Sequence, residues 1–277
     1  TTLLAYPEGL TTHRFNLPAD VTSIAGGAFT AAPQLDRIVA TAATPAQAKP
    51  FAFAKGFQTY VQADGKEAAY RTAWAQPMLW SVAAGNSLDA TNVPATDMIE
   101  LCATDDATAT ATNLNGQPLS YTRTLSNDRL YPLYFAAAPT AVFIDGLTTE
   151  EAAGSLINYT YADDAWTRTA TLAAGANMLS LPSIYTGKSV TFRTTGVGTS
   201  ATTGFGGNAT AAEENATPIY VYDAANNAFN YSAGTATASL SPFDAALYYA
   251  DGEASVAGPN RANDCPNVAC TLLYNYG

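Results

Sequence analysis

One histidine, three cysteines and three methionines in 277 residues leave little material for metal or redox chemistry. His13 is the lone imidazole, and no C-x-x-C pair occurs, so a tetrahedral zinc site lacks its ligands. No G-x-S-x-G elbow accompanies that imidazole, and a serine nucleophile would be without its base; His13 reads as a surface or turn residue. Charge is also scarce, at 13% of the chain, and 12 Lys plus Arg oppose 23 Asp plus Glu for a net charge of −11. A chain so poor in cations does not fit nucleic acid or an anionic membrane face as a partner. No run of 18 apolar residues exists, so no membrane-spanning helix is expected. The chain opens at Thr1 with no charged segment before an apolar stretch, and the expectation is a processed or trimmed product.

Three cysteines do not make a disulfide framework. Cys265 and Cys270 either close a short loop or remain two thiols. Cys102, in the apolar run Met98-Ile-Glu-Leu-Cys102, reads as a small core residue. A D-x-D-x-D-G calcium loop is missing, leaving only a looser site of backbone carbonyls with Asp223 or Asp251. The glycine run from Gly196 to Gly207 lacks the Lys-Ser/Thr and the helix of a phosphate loop, and reads as an exposed loop. No cofactor, metal ligand or catalytic residue is expected.

What is present is apolar residues at 48% and aromatics at 11%, with a surface that must be made largely of Thr, Ser, Asn, Tyr and Ala. That balance suits an extracytoplasmic setting. The length suits one large or two ordinary domains. Leu17-Pro-Ala-Asp-Val21-Thr-Ser-Ile24-Ala-Gly-Gly-Ala28-Phe29 runs on into Leu35-Asp-Arg-Ile38-Val39. Its apolar positions 17, 21, 24, 28 and 35 also fit a helical stripe, but Pro18, Gly26-Gly27 and Pro33 break any helix into short strands and tight turns. A turn at Ala43-Thr-Pro45 and a strand at Gly56–Val61 follow. Asp64-Gly-Lys-Glu67-Ala-Ala-Tyr70-Arg-Thr-Ala-Trp74 predicts a short helix, with Asp64 as cap and Tyr70 and Trp74 four apart on one face.

This succession resembles the BspA-like leucine-rich repeats of Bacteroidetes surface proteins. The resemblance implies a stacking coil with a closing segment over residues 1–80, and a role in cell-surface display rather than catalysis. Because one coil cannot bury its apolar face alone, residues 1–80 by themselves are expected to be unstable.

Beyond Pro77, strand-like segments follow one another: Leu119–Leu125, Leu130–Phe135, Ala141–Ile144, Leu156–Tyr161, Trp166–Leu172, Met178–Leu181, Ser189–Arg193, Pro218–Tyr222, Ala228–Tyr231, Leu247–Tyr249 and Cys270–Tyr274. Asn113–Gly116 and Asp223–Asn227 read as hairpin turns, and Thr148–Ala153 as one helical turn. Turn signals every eight to twelve residues predict an antiparallel β-sandwich or barrel over residues 81–277, the sandwich being the expectation adopted. The fold class expected is therefore mainly β: a short leucine-rich-repeat segment with a capping helix, then the sandwich. The strings Ser120-Tyr-Thr-Arg-Thr124, Leu130–Phe135, Asn227-Ala-Phe-Asn-Tyr231 and Leu240-Ser-Pro-Phe243 resemble a β-rich module found behind such repeats in Bacteroidetes secreted proteins.

Four adjacent acid pairs, Asp105-Asp106, Glu150-Glu151, Asp163-Asp164 and Glu213-Glu214, come to mind for glycoside hydrolysis. Neighbours on a strand face opposite ways, so adjacency alone makes no catalytic pair. Tyr220, Tyr222, Tyr248 and Tyr249 pair across strands or supply a sugar-stacking face. The expected function is non-enzymatic adhesion or display, binding a host protein or a glycan. The alternative is a carbohydrate-binding or polysaccharide-degrading component using tyrosines and carboxylates. The ligand-binding residues and the oligomeric state stay open at this stage.

Overall fold

The computed structural model describes residues 1–10, 12, 14–32, 35, 37–48, 58–62, 65–74, 78–114, 116–144, 147, 149–194, 204–207, 213–215, 219–232, 238–240, 243–248 and 255–260. The fold is mainly β. Strands β1 Thr2–Leu3, β2 Arg14–Leu17, β3 Ser23–Ile24, β4 Arg37–Ala40, β5 Gln47–Ala48 and β6 Gln58–Gln62 precede helix α1 Glu67–Trp74. Then come β7 Met78–Val82, β8 Ser87–Asp89, β9 Met98–Ala103, β10 Thr110–Thr112 and β11 Leu119–Leu125. Next are β12 Tyr131–Phe135, β13 Ala141–Ile144, helix α2 Thr149–Ser155, β14 Ile157–Ala162, β15 Ala165–Thr169, β16 Gly175–Ser180 and β17 Lys188–Thr194. The series ends with β18 Gly204–Gly207, β19 Glu213–Asn215, β20 Ile219–Asp223, β21 Ala228–Ser232, β22 Ala238–Leu240, β23 Ala245–Tyr248 and β24 Ser255–Ala257.

The first half is a parallel ladder. Arg14 pairs with Arg37 and Arg37 with Gln58, Thr59 with Met78, Leu79 with Met98, and Ile99 with Leu119, advances of 23, 21, 19, 19 and 20 residues. The short strands β1, β3 and β5 make a second parallel ladder, and β8 with β10 a third. Each coil thus contributes one long strand and, where α1 does not take its place, one short strand. This is the arrangement of a β-solenoid. The apolar positions singled out in the opening turn, Leu17, Val21, Ile24, Ala28 and Leu35, are all buried in one cluster with Phe29 and Ile38.

The ladder crosses residue 80 without a break, which corrects the expected antiparallel sandwich over 81–277: β9 and β11 are parallel to β7. Alternation along Leu119–Leu125 fits either strand direction. Direction is decided instead by the long connections between β7, β9 and β11, which return each strand to the same end. Asn113 and Gly116 do take positive φ, 56° and 77°. The strands beside them, β10 and β11, pair with β8 and β9 and not with each other, so this is a corner of a coil and not a hairpin.

The ladder ends on antiparallel strands. β17 pairs along the whole of β11, and β13 along β17. Two further antiparallel sheets follow, in the orders β12-β16-β14-β15 and β18-β23-β20-β21-β24. The inner strands of the four-stranded sheet are covered on both faces, while its edge strand β15 is largely exposed. Leu133, Phe135 and Leu179 meet Leu101, Tyr121 and Phe192 of the long sheet, while Tyr159 and Met178 meet Tyr220, Phe229 and Leu247 of the five-stranded one. Three β layers therefore stack around two apolar clusters, one on each face of the middle sheet. The turn at Asp223–Asn227 is a hairpin as expected, joining β20 to β21 with Asn227 at φ 46°. Gly204–Gly207, expected as loop, is strand β18 paired with β23.

Helix α1 forms where the spacing places it. Tyr70 and Trp74 are buried, and each donates a hydrogen bond to a backbone carbonyl of the preceding coil, Tyr70 to Ala42 and Trp74 to Ala46, both at 2.9 Å. Arg71, on the same helix, pairs with Asp97, whose buried carboxylate also accepts from Trp80 Nε1 at 2.7 Å and from the Met78 backbone at 3.3 Å. Helix α2 carries Glu150 and Glu151 exposed in its first turn, where acids suit the positive end of a helix. No helix of the described residues is long and apolar enough to cross a membrane.

Candidate functional site

Strand β11 alternates Leu119, Tyr121, Arg123 and Leu125 toward the interior, so a charged side chain stands where the pattern calls for an apolar one. Arg123 is 7% exposed. Its Nη2 donates to Asp105 Oδ1 at 3.1 Å, and its Nη1 lies 3.7 Å from Asp244 Oδ1. The guanidinium stands 4.8 Å from the centre of the Tyr131 ring, and that of Arg129 5.2 Å from the same ring. Such cation–aromatic contacts are strongest where water is excluded. Arg129 also reaches Asp105 Oδ2 at 3.4 Å. Burial opposes the charge on Arg123, but Tyr121, Asp244 and Asp105 outweigh it and the pKa rises. Burial raises the Tyr121 and Tyr131 hydroxyls as well.

Two backbone devices present the acids. After β9, Thr104 Oγ1 accepts from the amides of Asp106 and Ala107, at 3.3 and 3.2 Å, and Ala107 O accepts from the Thr104 amide, so the turn projects Asp105 and Asp106. Asp244 follows Phe243, which holds φ 64°, a region that a bulky side chain occupies at a cost of about 1–3 kcal/mol. Its surroundings enforce it. The ring stacks on Tyr121 at 4.5 Å and lies 6.1 Å from Phe135, and the carbonyl accepts from the Tyr134 amide at 2.7 Å.

These groups line a cavity of about 190 Å³ where the parallel ladder meets the antiparallel sheets, with Val221 and Tyr222 on its far wall. Three carboxylates and two guanidiniums give the lining a net charge of −1. The Nε–H groups of Arg123 and Arg129 are buried without an acceptor. Among the described residues no cluster of three or more acid, thiol or imidazole side chains could hold a metal ion.

Of the acid pairs, only Asp105-Asp106 enters the cavity. Asp163 and Asp164 form the two-residue turn between β14 and β15, with φ 49° and 58°. Glu213 and Glu214 belong to the short strand β19. Asp223 accepts from the amide groups of Asn226 and Asn230 and from the Ala225 backbone, and these bonds, that of Asn226 foremost, lower its pKa. Tyr220 is buried and pairs with Tyr231 across the strands at 5.3 Å; Tyr222 pairs with Phe229 at 5.2 Å and also reaches the cavity. Tyr248 is buried. His13, Gly196, Gly198, Tyr249, Asp251, Cys265 and Cys270 lie outside the described residues.

Sequence reasoning missed Arg123, Arg129 and Asp244. The first had a signal, an arginine at the inward parity of an alternating strand. The other two reach the cavity from the loop before β12 and the lead-in to β23, which no pattern connects.

A second polar group lies on the opposite face of the ladder. Glu100 is fully buried and accepts from Arg37 Nη1 at 2.6 Å, Ser81 Oγ at 3.0 Å and Thr122 Oγ1 at 2.6 Å. Thr122 in turn meets Thr191 at 2.8 Å. Beside it the Cys102 thiol is pushed up to about 12, chiefly by burial and then by Glu100; it is half-buried on this polar face, 3.5 Å from Ser81 Oγ, and not in the apolar core where it was expected. No family model, curated protein or solved structure matches this chain.

Proposed function

We propose that the protein is a non-enzymatic, extracytoplasmic binding and display module of leucine-rich-repeat type. In this reading a stack resembling the BspA-like repeats carries the antiparallel sheets that close it, and the ligand is engaged at the cavity between them. The observation that carries the reading is that cavity, a polar recess walled by Asp105, Asp106, Arg123, Arg129, Tyr222 and Asp244 at the junction of the two halves. The 19–23 residue advance of the ladder supports the repeat assignment, since leucine-rich coils fall in or near that range. A surface with few charges and much Thr, Ser, Asn and Tyr supports the extracytoplasmic placement.

One observation favours a polysaccharide-degrading reading: three carboxylates line one recess that Tyr222 also reaches. Glycoside hydrolysis needs two acids facing each other across an open gap of about 5–10 Å. Here Asp105 and Asp244 are both engaged by Arg123, which occupies the space between them. Binding is therefore the better reading. The test is the intact chain on arrays of glycans and of extracellular matrix proteins. Binding to a defined subset supports it, and silence across both arrays refutes it.

A further inference from the structure

We propose that two copies of this chain join edge to edge through β15, which pairs antiparallel with β15 of the second copy about a two-fold axis at Thr167. No residue of β15 lines the cavity, so this interface stands or falls independently of the binding reading.

β15 closes one end of the order β12-β16-β14-β15, and among the described residues it pairs with β14 alone. Ala165, Thr167 and Arg168 are exposed, whereas β12 at the other end of the sheet is largely buried. Monomeric proteins usually blunt such an edge with proline, lysine, a bulge or a very short strand. β15, Ala165-Trp-Thr-Arg-Thr169, has no proline or lysine, and it pairs one to one from Asn158–Thr169 to Ala162–Ala165 without a bulge. The strand is also held in place. Trp166 Nε1 donates to the Ala257 carbonyl at 2.8 Å, and the indole stacks on Phe229 at 5.7 Å. An edge fixed in this way loses little freedom on pairing.

Backbone parity selects the register. The two-residue turn Asp163-Asp164, at φ 49° and 58°, makes Ala162 and Ala165 a hydrogen-bonded pair. Bonded and non-bonded pairs alternate from there, so Thr167 and Thr169 also bond to β14, while the backbone groups of Trp166 and Arg168 point away from it. An axis at Thr167 sets Trp166 against Arg168 of the second copy and Arg168 against its Trp166. Both outward-directed residues of each copy then enter hydrogen-bonded pairs, and the two Thr167 side chains meet across the axis, a favourable cross-strand pair. Neighbouring registers are poorer. An axis at Arg168 opposes two like charges. An axis at Trp166 sets Arg168 against Asp164, which its φ of 58° takes out of extended backbone. The one charge on this edge therefore lies beside an indole in the favoured register.

A strand pair of this length buries less than the roughly 1,200 Å² of a stable complex, so a reversible dimer with a Kd of about 10–100 µM is expected. The experiment is sedimentation equilibrium of the intact chain between about 1 and 500 µM, with amide hydrogen exchange at both ends of that range. The Trp166 and Arg168 amides are expected to exchange about three- to tenfold more slowly at the concentrated end. Thr167→Lys and Thr167→Glu each place like charges on the axis and are expected to weaken self-association at least about tenfold. An equimolar mixture of the two variants restores it as a heterodimer. Thr167 is exposed, so both variants keep the wild-type melting temperature at the dilute end. A chain that stays monomeric throughout, self-association unchanged by either variant, or a mixture that stays monomeric overturns the interface. Exchange in the wild type needs no substitution, and equal rates at both concentrations overturn it as well.

Discussion

Replacing Glu100 with glutamine removes one charge from the buried face of the ladder and changes almost nothing in shape. Donors converge on that carboxylate, Arg37 and Thr122 at 2.6 Å and Ser81 at 3.0 Å among them, with Arg37 and Glu100 at 1% and 0% exposure. The hydroxyls of Ser81 and Thr122 can rotate to suit an amide, but Arg37 cannot give up its charge. The variant removes the charge that the buried Arg37 guanidinium faces at 2.6 Å, and breaking one side of such a pair costs about 3–5 kcal/mol. At about 2–4 °C per kcal/mol for a chain of this size, Glu100→Gln is expected to lower the melting temperature by about 6–20 °C. The same loss appears as a lower urea midpoint with unchanged slope. Replacing both partners, Arg37→Met with Glu100→Leu, recovers most of it, because an apolar pair of similar volume escapes the desolvation cost. A Glu100→Gln loss below about 1 kcal/mol, or a double variant as unstable as the sum of the singles, refutes this reasoning.

Asp97 ties helix α1 to the ladder through Arg71, Trp80 and the Met78 amide. Asp97→Asn is expected to cost about 3 kcal/mol and to release α1 first, seen as a loss of helical circular dichroism before the sheet signal falls. Asp89, fully exposed, is held down from its ordinary 3.8 to about 2 by the Thr91 hydroxyl, the Asn113 amide and the Thr91 backbone. A lowered carboxylate pKa means its stabilising contribution is complete above about pH 4 and is lost as the pH falls through 2. NMR titration of the Asp89 carboxyl carbon is expected to give a midpoint near 2, and a midpoint near 3.8 counts against the hydrogen bonds of that turn.

Several elements were legible in the residues themselves. The apolar positions 17, 21, 24, 28 and 35 converge because Pro18 and Gly26-Gly27 allow only short strands between turns. Tyr70 and Trp74, four apart, form the inner face of α1. Strand direction was not legible. Leu119–Leu125 alternates identically in a parallel or an antiparallel sheet, and only its partners, β9 on one side and β17 on the other, separate the two. The site was half legible for a related reason. The Asp105-Asp106 turn and Tyr222 could be picked out locally, whereas Arg129 and Asp244 matter only because folding brings the loop before β12 and the Phe243 kink to the same place. Residue-level patterns describe a segment's own faces and say little about which distant segment lies against them.

The claim on which the account depends is that the parallel ladder continues through β7, β9 and β11 and is closed by β17, making one cooperative body across residue 80. Hydrogen exchange of the backbone amides, resolved by segment, measures this directly. The account predicts that the amides of Met78–Val82, Met98–Ala103, Leu119–Leu125 and Lys188–Thr194 open together with one free energy. Separate opening of residues 1–80 and 81–277, each with its own free energy, would contradict it.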